Sequence, residues 1–434
     1  MRGGVSSVVL TGVAIVALGS AVGVVPGQLE QRGFVATLDH PAIEYRARPT
    51  RDPVAQLNRL IDEGKGQLKF EGTAGYVRSV LNALNVPIES QIVVFSKTSV
   101  QAARITPRSP RTLFFNDSVV VGWVRGGFVE LAALDPQQGV IFYTLQQGLF
   151  STPRFSRETR CLSCHESYSS LDVAGMLMKS VFPSRDGTAL YQFGSFIPDH
   201  RTPFEQRWGG WYVTGGNSAV RHMGNAILTN PDGPVSPETP EPPHAEPVSI
   251  ALDQEAYLSP YSDIAALMVF DHQRHMTNLL IRVGWEFRVA AYQRSKADDT
   301  TTPGLLRDMT TELVDYLLFV DEAPLPARVQ STSGFAETFR ASGPVDRKGR
   351  SLRQLDLDRR LLRYPCSYMI YTEAFDGLPV AAKEAIYARM WQVLSGEDRG
   401  KQYARLSLVD RQAIVEILRD TKKGLPGYFQ PVIR

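Results

Sequence analysis

The chain has 434 residues, 43% hydrophobic and 21% charged, and its 47 Lys and Arg nearly balance 45 Asp and Glu for a net charge of +2. That balance excludes the strongly basic surface of a nucleic-acid-binding protein and gives no case for a strongly anionic partner. Three cysteines cannot build a disulfide framework, and the length suffices for two or three domains.

The first element is a run without charges, Val5–Val25, 21 residues long and preceded by Arg2. It reads as a signal peptide, with Ala17-Leu18-Gly19 or Gly19-Ser20-Ala21 at the cleavage site, or as an anchor just long enough to span a bilayer. Residues 1–27 are therefore expected to be a signal peptide or N-terminal membrane anchor, and membrane contact is expected only through an uncleaved leader. The expected location is the periplasm or another extracytoplasmic space, with anchoring to the cytoplasmic membrane as the variant.

Residues 28–150 read as a region of mixed helix and strand. Pro53–Asp62 and Ala74–Leu84 carry helical spacing, and Ile92–Phe95 is a short strand signal. Three strands then follow, Val119–Val124, Phe128–Leu134 and Val140–Leu145, separated by turns at Arg125-Gly126-Gly127 and Asp135-Pro136-Gln137-Gln138-Gly139. This is the pattern of an antiparallel meander.

The segment 151–228 is rich in aromatics, glycine and arginine, and it contains Cys161-Leu162-Ser163-Cys164-His165. Two cysteines separated by two residues and followed at once by histidine have the spacing of a c-type haem attachment site. Each thiol is placed to add to one vinyl group of the porphyrin, and the adjacent histidine to ligate the iron from one side. A zinc site would need a second ligand pair, and the remaining cysteine, Cys366, stands alone. A thioredoxin-type redox pair would follow a buried strand, which Arg154–Arg160 does not resemble. Cys366, among apolar and aromatic neighbours, reads as a buried inert thiol.

A sixth iron ligand is sought further on. Arg221-His222-Met223-Gly224 offers both ligand types, 57 and 58 residues after His165, so His222 or Met223 is the first choice. His200, in a polar loop, and His272 are weaker candidates, while Met176 and Met178 read as core. Arg207 and Arg221 have the forked donors that match haem propionates, and Trp208 and Trp211 the faces to wall a ring.

Residues 229–248 form a proline-rich linker or loop, with seven prolines between Thr229 and Pro247. Residues 249–434 read as a helical domain: Asp263–Lys296, Pro303–Val320, Ser333–Arg340, Val380–Leu394 and Leu408–Lys422. On the first of these, His272 falls at the centre of an apolar face. Asp271, His275, Asn278, Arg282 and Glu286 form a row along its edge, which reads as a salt-bridge ladder between domains. The fold class is α+β, with an N-terminal antiparallel meander, a central irregular haem-binding segment and a mainly α-helical C-terminal part.

The Cys161–His165 motif resembles the haem-binding signature of c-type cytochromes. That resemblance implies one covalent haem c at Cys161 and Cys164, with His165 as axial iron ligand. The whole chain is similar to large, functionally undescribed single-haem proteins of bacteria, through its meander, Arg207–Gly215 and Tyr364–Tyr368; this second resemblance implies no activity. The expected role is extracytoplasmic electron transfer with a redox partner protein and no nucleic acid. Two alternatives stay open: a haem-dependent oxidoreductase with an open or labile sixth iron position, and a haem-bearing assembly or binding subunit of a larger redox complex.

Overall fold

The computed structural model describes residues 34–149, 152–216, 219–229, 245–248, 252–253, 256–296 and 303–430. The expected leader, residues 1–27, and most of the proline-rich segment lie outside the described residues. Among the described residues no helix is long and apolar enough to cross a membrane.

Two helices lead in, α1 (Pro53–Asp62) and α2 (Val77–Ala83). Asp52 starts α1 by accepting the N–H groups of Val54 and Ala55, with Pro53 at the first helical position, where a missing N–H costs nothing. The sheet follows: β1 (Ile92–Val94), β2 (Arg111–Phe115), β3 (Val119–Val124), β4 (Val129–Asp135), β5 (Gly139–Leu145) and β6 (Ser156–Arg157). Two further short strands, β7 (Ser180–Val181) and β8 (Ser195–Phe196), pair with each other. β9 (Trp211–Tyr212) returns to the far edge of the main sheet, whose order is β6-β5-β4-β3-β2-β1-β9, antiparallel throughout.

The three meander strands stand where the sequence places them, turned at Gly126 and Gly139 in left-handed conformations (φ 71° and 93°) that suit glycine. β2 carries no separate sequence signal: Arg111-Thr112-Leu113-Phe114-Phe115 is covered on both faces, so the alternation that marks a half-exposed strand is absent.

The second half is helical: α3 (Leu162–His165), α4 (Ile264–Ser295), α5 (Pro303–Leu317), α6 (Phe335–Ala341), α7 (Glu373–Asp376), α8 (Val380–Ser395) and α9 (Leu408–Thr421). The fold is thus α+β. A hydrophobic core of buried residues runs through the lead-in, the sheet, the segment around α3 and the helices, and Gly33–Arg434 forms one compact unit.

The register assigns the sheet's two faces. Tyr143 points to the face covered by α1, where its hydroxyl donates to Asp52 at 2.7 Å. Phe115, Gly122, Glu130 and Phe142 share the other face. There α4 packs, with Phe270 5.0 Å from Phe115.

α4 differs from its sequence reading. It is buried on nearly every side, including Asp271, His272, Arg274, Asn278, Arg282 and Glu286. Buried polar groups need partners, and most of these reach outward rather than along the helix. Arg282 pairs with Glu286 at 2.9 Å, donates to the carbonyls of Leu171 and Asp172, and reaches Ala36 O at 3.1 Å. Glu286 in turn accepts Ala36 N–H at 3.1 Å. The row is a set of tethers to the lead-in and to the segment after α3, and only Arg282–Glu286 is a ladder rung.

Replacing Arg282 by Met leaves Glu286 as an uncompensated buried charge and strands the carbonyls of Leu171, Asp172 and Ala36. The expected loss is about 3–5 kcal/mol, read as a lowered denaturant midpoint in equilibrium unfolding.

Candidate haem site

The motif occupies a tight turn. Glu158 accepts Arg160 N–H at 3.0 Å and opens a single 3-10 turn, Thr159–Cys161, which runs directly into α3. Cys161, Cys164 and His165 are therefore at i, i+3 and i+4 on continuous helical backbone, the spacing that puts side chains on one face. All three cysteines are unbridged; Cys161 is partly covered, Cys164 is exposed and Cys366 is buried. Burial pushes the Cys161 thiol up to about 11, with Glu130 and Glu158 adding to it.

His165 is held at two points by Gly175. Its Nδ1 lies 2.9 Å from Gly175 O, and Gly175 N–H donates back to His165 O at 3.0 Å. A carbonyl only accepts, so Nδ1 carries the proton and Nε2 keeps its lone pair. Desolvation pulls the imidazole down to about 4, so it is neutral at physiological pH. The ring lies 4.6 Å from Phe142, on the sheet face that also carries Glu130 and the Arg111 ion-paired to it.

Gly175 is itself fixed from behind. Asn278 of α4 accepts Met176 N–H at 2.8 Å and donates to Met176 O at 2.9 Å. A Cβ on Gly175 would lie 2.5 Å from Asn278 Oδ1, so no larger residue fits without moving that clamp. Leu171 and Asp172, between α3 and Gly175, sit in left-handed conformations (φ 62° and 52°), and Arg282 grips both their carbonyls. Such backbone persists where its surroundings over-determine it.

The residues fit a c-type haem. Two unbridged thiols sit on one helical face, and a neutral imidazole with its tautomer set by a backbone acceptor stands next to the second. That outer hydrogen bond is the arrangement by which a protein orients a metal-bound histidine. Among the described residues no cluster of three or more His, Cys, Asp and Glu side chains forms a metal cage; a porphyrin supplies its own four nitrogens and asks the chain only for axial ligands.

The other sequence candidates have the following surroundings. Met223 packs against Ser180 and Gly209: Ser180 Oγ is 3.5 Å from its sulfur, and a Cβ on Gly209 would meet its methyl group at 2.9 Å. His222 accepts Gly224 N–H through Nδ1 at 3.0 Å and lies edge-on to Trp208. Arg221 is exposed. Arg207 is enclosed: it donates to Thr202 O and His200 O, covers the Phe204 ring, and stands 3.7 Å from Asp271. Trp208 is fully buried and donates to Asp271 at 3.0 Å, while Trp211 donates to Lys179 O.

His200, which reads as a loop residue, is buried against His272. Their Nδ1 atoms are 2.7 Å apart, and His272 Nε2 meets Ser367 Oγ at 2.7 Å. Tyr316 and Phe319 stack on both rings. Desolvation drives both imidazoles down, His272 to about 3. The apolar face around His272 is legible in the sequence, and His200 stands out there only as a weaker iron-ligand candidate; nothing local marks the pairing of the two, or the roles of Ser367 and Gly175, none of which shares an element with its partner.

No family model, no curated protein and no solved structure matches this chain.

Two outcomes are expected. Gly175→Ala displaces the Asn278 clamp and costs about 1–3 kcal/mol, read as a lower melting temperature. In haem-free protein, iodoacetamide followed by peptide mass spectrometry labels Cys164 first, Cys161 more slowly, and Cys366 only after unfolding.

Proposed function

We propose that this protein is an exported cytochrome with one covalent haem c, working in extracytoplasmic electron transfer with a redox partner protein. The observation that carries the reading is the two-point hold of Gly175 on His165, directly after two unbridged thiols at haem-attachment spacing. It sets an imidazole in the neutral, Nδ1-protonated form, which is what iron coordination through Nε2 requires.

In this reading Cys161 and Cys164 fix the group through two thioethers, and His165 Nε2 ligates the iron. Bound there, the haem iron supplies one-electron chemistry between its ferric and ferrous states. The protein's own part is positional. Phe142 covers the imidazole ring, Gly175 O stops it turning, and Asn278 and Arg282 keep that carbonyl in place from α4. An electron carrier benefits from such rigidity, because a site that moves little between oxidation states has little to reorganise. The uncharged Val5–Val25 run supports export, since haem is attached outside the cytoplasmic membrane in bacteria.

The test is covalent loading. Expressed with a cytochrome c maturation system, the full chain is expected to keep one haem through denaturing electrophoresis and to gain the mass of one haem on the peptide containing Cys161–His165. Cys161→Ala with Cys164→Ala abolishes both signals. A chain that folds yet carries no covalent haem under those conditions refutes the proposal. For the carrier role, the loaded protein is expected to show a low-spin spectrum unchanged by carbon monoxide; a spectrum that CO alters turns the assignment to the oxidoreductase with an open iron position.

A further inference from the structure

One cavity stands apart from the motif and has a distinct chemistry. It encloses about 300 Å³ beside the turn that follows α5, at the small end of the range for small-molecule sites. Its charged lining is Arg359, Arg360, Arg405 and Glu322, and its apolar walls include Phe319 and Leu406.

The charges are unequal in their commitments. Arg360 is ion-paired to Asp410 at 2.8 Å. Arg405 gives one Nη1 hydrogen bond, at 2.5 Å, to the backbone carbonyl of Glu322 and makes no close ion pair among the described residues, though it acts through space on the Glu322 carboxyl. Arg359 is exposed and makes no side-chain ion pair among them. Glu322 is 8% exposed and accepts Leu361 N–H at 2.8 Å. Burial pushes its carboxyl up to about 7, which weakens the one negative charge in the lining. Arg359 and Arg405, the two guanidinium groups without a close ion pair, therefore line a recess with apolar walls, Arg405 sharing the field of the Glu322 carboxyl.

The backbone that shapes the recess is unusual. Phe319 and Asp321 both adopt left-handed conformations (φ 57° and 59°), which cost roughly 1–3 kcal/mol each for residues with side chains. They turn the chain after α5 where Phe319 and Glu322 enter the lining.

We infer that this cavity binds a small organic anion, with its oxyanion head between Arg359 and Arg405 and its apolar body against Phe319 and Leu406. The planar guanidinium fork matches a carboxylate or a phosphate ester in two-point fashion. The cavity is too small for a polymer, and the near-neutral chain has no basic field to attract one. This inference is independent of the haem reading.

Calorimetric titration of the full chain tests it, with benzoate, its neutral amide benzamide, and inorganic phosphate as probes. Benzoate is expected to bind saturably at one site and more tightly than either of the others. Arg359→Gln and Arg405→Gln are each expected to weaken benzoate about tenfold or more. The contacts of Arg359 are made by its backbone, to Asp356 and Leu325, and not by its exposed side chain, so its variant is expected to keep the wild-type melting temperature. Benzamide binding as tightly as benzoate, benzoate binding unaffected by Arg359→Gln, or no saturable benzoate binding would each overturn the inference.

Discussion

A long helix buried on nearly every side takes many polar groups out of water, and each one left without a partner is costly. α4 carries Asp271, His272, Asn278, Arg282 and Glu286 into the interior, and leaving any of them unpaired costs roughly 1–3 kcal/mol, more for the charged ones. The fold answers by bringing irregular chain to the helix. Leu171–Met176 and the lead-in at Ala36 supply backbone groups, and Trp208, His200 and Ser367 supply side chains. What reads as a polar edge on one helix is the scaffold on which the rest is hung.

The candidate haem site inherits its order from that constraint. α3 is one turn long and has no core face of its own beyond Leu162. Its histidine is positioned by a carbonyl from a loop, the loop by an amide side chain on α4, and the remaining side by Phe142 of the sheet. The segment around α3 is physically continuous with helix and sheet, since the same hydrophobic core passes through all three. The buried His200–His272–Ser367 array follows the same logic, with neutral imidazoles pairing where a charged one would be costly.

Much of the fold was legible in the sequence. The meander and the helices at Pro53, Asp263, Pro303, Val380 and Leu408 stand within a few residues of their expected bounds, because turn glycines, capping residues and apolar period are local properties. β2 was not legible, being covered on both faces, and neither was β9, two residues joining an edge from more than a hundred residues away. At the site, Cys161, Cys164 and His165 declare themselves by spacing alone. Gly175 does not: one glycine among 35 carries no mark, and its role arises from the approach of Asn278, 103 positions later.

The sequence by itself determined the chemistry that the chain offers: two thiols and an imidazole at fixed separation, an uncharged N-terminal run at Val5–Val25, and the α+β order of elements. These depend on neighbours in the chain, so local spacing contains them. Only the tertiary structure decided which tautomer His165 holds, which partners the α4 row takes, and where Arg207, Trp208, His200 and Met223 end up. Those outcomes depend on burial and on contacts between residues tens to hundreds of positions apart, and the desolvation that enforces them does not exist until the chain has folded.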